Sequence, residues 1–209
     1  MTDAWAWAAL VGLGAFHGLN PAMGWLFAVA LGLQRQSTRA VLWSLIPIAL
    51  GHAVSIAAVV AVLAWLQSVV ELRPLRIGAA AVLIAFGLYR LIARHRGRVG
   101  MQVNFAELTL WSFLMATAHG AGLMLIPVLL SMDLPAAPHS MHMHGFTESF
   151  GVGLAAVVAH TAAMLVVAGA IALVVYRWVG LAFLRKGWIN VDLVWSIALM
   201  AVAAVLVFA

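Results

Sequence analysis

The chain has 209 residues, of which 66% are hydrophobic and 8% charged, with a formal net charge of +5. So little polar material cannot cover a water-soluble globule, which excludes a soluble domain and indicates an all-α integral membrane protein. No cysteine is present, so disulfides and thiolate ligands are excluded as well.

The start, MTDAWAWAAL, lacks a basic leader region and carries Asp3. Its apolar run from Ala4 is longer than a signal-peptide core, so it reads as a retained helix. A bilayer core takes about 20 helical residues. Charged and proline-containing breaks divide the chain into six predicted transmembrane helices over residues 5–33, 40–66, 74–93, 105–132, 147–176 and 189–208. Together they make a single membrane domain, residues 1–209. Arg35 and Arg39 follow the first span, Arg90, Arg94, Arg96 and Arg98 end or follow the third, and Arg177, Arg185 and Lys186 follow the fifth; Arg73 and Arg76 face them from the other side. The positive-inside rule then puts both termini on the non-cytoplasmic side of a bacterial inner membrane, together with the histidine-rich loop 133–146. This asymmetry accounts for most of the net charge. The expected large partner is the lipid bilayer, and no nucleic acid is needed to explain the basic residues.

Four histidines stand singly inside apolar spans: His17 in AFHGLNPAMGW, His52 in ALGHAVS, His119 in ATAHGAGLM and His160 in VVAHTAAML. An ionisable side chain inside the membrane is expensive and marks a site. His17-Gly18 and His119-Gly120 occupy the first span of each half, while His52 and His160 occupy the second. The chain therefore reads as one three-helix unit used twice, residues 5–95 and 104–209. Three being odd, the two copies insert as inverted repeats. Each histidine lies about eight or more helical residues from a span end, which predicts one layer near the midplane. One layer of four fits one shared site better than two haems clamped at two depths.

Neutral imidazole ligates zinc, copper, iron, nickel and cobalt. Met23, Met124 and Met164 follow His17, His119 and His160 by six, five and four residues, and are candidate further ligands. Only the last spacing shares a helix face. Met23 needs local unwinding, which Asn20-Pro21 offers, and Pro47 and Pro127 predict further kinks. The competing readings are core filling for the methionines and interhelical hydrogen-bond links, worth about 0.6–2 kcal/mol, for single histidines. Trp5, Trp7, Trp65, Trp178 and Trp188 read as interface residues, and Trp25, Trp43 and Trp111 as deeper ones that pack against the site. Between spans four and five, PAAPHSMHMHGFTE interleaves His139, His142 and His144 with Met141 and Met143, a composition suited to metal capture. Such a mixture of nitrogen and sulfur donors does not name its metal.

In AFHGLNPAMGWLFAVALG the chain resembles the nickel and cobalt efflux-type small membrane transporters of the LysE/NicO-like superfamily. Their first helix carries His-Gly-x-x-Pro-Gly-His, and a later helix carries a histidine-serine motif. His17, Gly18 and Pro21 match the first pattern, and GHAVS at 51–55 is similar to the second; Ala22 and Met23 stand where the family has Gly-His. The resemblance spans about a third of the chain. It implies a transporter of that build, with the methionine at 23 softening the site toward copper. The expected function is transport of a transition-metal ion (nickel, cobalt or copper) through a midplane histidine site fed by the external loop, with no enzymatic step, in a monomer or homo-oligomer. The alternative is a membrane-embedded metalloprotein that retains a histidine-ligated metal as cofactor for redox or oxygen chemistry. In it, Asn20, Ser55, Thr117 or Thr161 would orient the rings.

Overall fold

The computed structural model describes residues 3–92, 104–132, 143–179 and 191–208, which are helical apart from short turns. Helix α1 (Asp3–Leu19) ends in a 3-10 turn (Pro21–Met23), and α2 (Trp25–Arg35) completes the segment predicted as one span. The break follows from local chemistry. Asn20 is extended and its Oδ1 accepts from the Ala22 amide at 2.9 Å, while Pro21 supplies no donor of its own. Gly24 then turns the chain at φ +112°, in the left-handed region that favours glycine.

Helix α3 (Thr38–Val69) runs unbroken through Pro47, and α4 (Leu72–Ile92) follows after a short turn. The next predicted span is again two helices, α5 (Phe105–Ala118) and α6 (Ala121–Ser131), bent by 59°. The expected kink at Pro127 lies instead at His119-Gly120, where Gly120 takes φ +68°. Pro127 sits inside α6. Helix α7 (Met143–Val174) continues as a π-helical turn (Val175–Val179), and α8 (Val191–Phe208) closes the described chain. The helix of span five thus begins four residues earlier than its predicted start and takes in the end of the histidine-rich segment.

Among the described residues two helices, over Thr38–Gln67 and Gly151–Val179, are long and apolar enough to cross a membrane, or three spans if the bent α5–α6 pair counts as one. The outer face of α3 carries Leu42, Trp43, Ile46, Leu50 and Val54 exposed, a surface suited to lipid. Trp43, expected to be deep, belongs to that outer face; Trp25 is buried.

Contacts fix the helix directions. Gly14 lies against His160 and Ala163, and Gly18 against Met164, Val167 and Ala168, so α1 and α7 run parallel. Ser112 meets Ile48 and Thr117 meets Ser55, so α3 and α5 also run parallel. Between α3 and α7 the order reverses: Val60 meets Gly153, His52 meets His160, and Leu45 meets Gly169. The remaining extensive pairing is α4 with α8.

Bare backbone makes these parallel pairs close. A Cβ at Gly14 would run into the His160 carbonyl, and one at Gly51 into the Thr109 carbonyl. Gly14→Ala and Gly51→Ala should each lower stability in detergent by about 1–3 kcal/mol through overpacking. Gly12→Ala and Gly78→Ala, whose added carbons meet nothing within 4 Å, should leave thermal unfolding unchanged or raise its midpoint.

Candidate metal centre

His17, His52 and His160 come together. His17 in the last turn of α1, His52 in mid α3 and His160 in mid α7 are buried, and their rings form a triangle. The centroids stand 4.8 Å apart for His17–His160, 5.5 Å for His17–His52 and 5.6 Å for His52–His160. The His52 and His160 planes are parallel to within 4°, and His17 meets both edge to face. His119, also buried, is the C-terminal cap of α5 and close enough to His17 for the two rings to interact electrostatically.

Main-chain carbonyls set the chemistry of these rings. His17 Nδ1 lies 2.8 Å from the Leu13 oxygen, His119 Nδ1 2.8 Å from the Met115 oxygen, and His160 Nδ1 3.2 Å from the Leu10 oxygen on α1. A carbonyl only accepts, so Nδ1 must donate and the lone pair of each neutral ring is on Nε2. His160 reaches Leu10 because Gly14, one turn on, has no side chain to hold α7 away. Three of the four polar residues expected to orient the rings do other work. Ser55 and Thr117 bond to each other at 2.9 Å, tying α3 to α5, and Asn20 caps the 3-10 turn. Sequence reading missed Leu10 and also Ser112, whose hydroxyl donates to the Ile48 carbonyl at 2.7 Å across α3 and α5. Ser112 did carry a signal, standing two helical turns before His119 on the same face.

Several buried polar atoms near these rings lack a hydrogen-bond partner: Nε2 of His52 and His160, Nδ2 of Asn20 and Oγ1 of Thr161. Each such atom costs about 1–3 kcal/mol in a dry interior. Two of them are the atoms with which imidazole ligates a metal, so the donor set fits a transition-metal ion. A metal–nitrogen bond of about 2.0–2.1 Å puts ring centres about 5 Å apart around one tetrahedral ion, the spacing of this triangle. As the side chains stand, no group of three or more histidine, aspartate or glutamate side chains among the described residues is arranged to hold a metal.

The three candidate methionines are buried. Met124 belongs to the apolar cluster with Leu10, Ile56 and Leu125, and Met164 to the one with Trp25, Val41 and Ile48; Met23 is buried after the 3-10 turn. His139 and His142 lie outside the described residues, and His144 lies in the first turn of α7. No protein-family model, no curated protein and no solved structure matches this chain.

Replacing His52 by leucine removes a buried, unpartnered nitrogen and keeps the volume roughly constant. His52→Leu should therefore hold or raise thermal stability of the metal-free protein while abolishing metal binding. Ser112→Ala, which breaks a buried interhelical bond, should cost about 1 kcal/mol. Calorimetry or detergent thermal melts beside a cobalt titration read both.

Proposed function

We propose that the chain transports a divalent transition-metal ion of the nickel, cobalt or copper class through a site at which His17, His52 and His160 ligate it, with His119 beside them. The triangle of buried imidazoles drawn from three helices carries this reading. Their nitrogen donors suit borderline divalent ions.

Six crossings built as two inverted three-helix repeats fit the observed directions. Helices α3 and α5 run the same way, so the chain must return between them, and α4 is the element available to do it. The pairing of α1 with α7 is answered by that of α5 with α3, as exchange of the two halves requires, while α3–α7 and α4–α8 each pair equivalent helices. Two 11-residue half-helices, α2 and α6, follow the His-Gly breaks, and two 32-residue helices, α3 and α7, come next. Broken helices around a central site at a repeat interface are the architecture of many secondary transporters. Because His52 and His160 lie parallel and His17 meets both edge to face, ligation by all three needs side chains to turn, and a centre that assembles around its ion favours cargo over a resident metal. Residues 133–146 would gather the ion on the non-cytoplasmic side.

The purified protein in proteoliposomes should move Co(II) or Ni(II) into a chelator-filled lumen. His52→Ala and His160→Ala should reduce that flux at least about tenfold, the loss expected for 1.4 kcal/mol or more of binding. Wild type without flux would refute the proposal, and stoichiometric metal that survives chelators would point to the retained-cofactor alternative.

A further inference from the structure

The α3–α7 crossing has an internal symmetry. His52 and His160 are 108 residues apart in sequence. The contacts Val60–Gly153 and Leu45–Gly169 lie on either side of that pair, as in any antiparallel crossing. Beyond this crossing, the parallel pairing of α1 with α7 is answered by the parallel pairing of α5 with α3, as exchange of the two halves requires. An approximate two-fold axis passes between His52 and His160, whose rings lie parallel across it.

His17 and His119, which are 102 residues apart, stand at corresponding ends of α1 and α5 when the halves are exchanged, and their local build agrees. Each donates Nδ1 to the carbonyl four residues back at 2.8 Å. Each is followed by glycine, and each precedes a break after which a left-handed glycine, Gly24 or Gly120, opens an 11-residue half-helix. Their present settings differ. His17 lies inside α1 with its ring against both members of the axial pair, whereas His119 is already at the exit of α5.

We infer that the site consists of two overlapping triads that share His52 and His160, with His17 completing one and His119 completing the other, and that the ion passes between them as access changes sides. This rests on the transport reading above. The two-fold operation carries the observed contact of His17 with the axial pair onto a contact of His119 with the same pair. In a bundle of inverted repeats those two arrangements open toward opposite faces. His52 and His160 then hold the ion throughout, while the outer ligand changes.

The test separates binding from flux. In His17→Gln and His119→Gln, one of two states can still bind. Cobalt affinity in detergent should fall between about two- and tenfold, the lower figure being the loss of one of two equally populated competent states. Net flux in proteoliposomes should stop in both, because neither can hand the ion on. His52→Gln and the double variant His17→Gln/His119→Gln should lose binding altogether. X-ray absorption on cobalt-loaded wild type, which does not depend on any variant folding, should count three imidazoles. Four imidazoles, a His119→Gln protein that transports like wild type, or loss of all binding in a folded His17→Gln or His119→Gln protein would overturn the two-triad scheme and leave the transport reading standing. Wild type that neither binds nor moves cobalt would overturn both.

Discussion

A buried imidazole whose Nδ1 donates to a peptide carbonyl has lost its choice of tautomer, and everything about this centre descends from that loss. The bond from His17 to Leu13 uses the helix on which the ring sits, and that of His119 to Met115 does the same. His160 is different, since its carbonyl belongs to α1. One interaction therefore orients a ring and also joins two helices. It is available only because Gly14 lets the two backbones touch. Small residues, helix contact and ring orientation are one arrangement, and removing any of them disturbs the others.

The broken helices complement this rigid centre. Asn20, Pro21 and Gly24 interrupt one segment, and Gly120 the other, immediately past a histidine in each case. Freed backbone at that depth is tolerable only inside protein or beside a polar cavity. Here part of the demand is met locally, by the Asn20 side chain and by Trp25 Nε1, which donates to the Leu19 carbonyl at 3.3 Å.

Much of the layout could be read from residues alone. The helical segments emerged from apolar runs and charged breaks, because a continuous apolar stretch leaves few alternatives to helix. Convergence of His17, His52 and His160 could be anticipated from their place in each half. What escaped were features set by neighbouring helices. The break fell at Gly120 and not at Pro127, since a proline inside a helix loses one bond, whereas a residue with positive φ ends it. Ring orientation came from carbonyls, which every residue carries and no sequence pattern advertises. Trp43 lay outward because neither hydropathy nor spacing reveals which face of a wholly apolar helix meets the bundle.

Ending α1 and α5 inside the bundle has an electrical consequence. The peptide dipoles of each helix sum toward partial negative charge at the C-terminal end, in unpaired carbonyls of the last turn. His17 sits in that last turn of α1 and His119 caps that end of α5. Two negative poles are thereby delivered next to imidazoles in a chain with few acidic residues. Each pole is worth about 0.3–1 kcal/mol to a neighbouring cation, and up to about 2 kcal/mol where water is scarce. An uncharged set of imidazoles acquires from interrupted helices an attraction for positive charge that none of those side chains supplies.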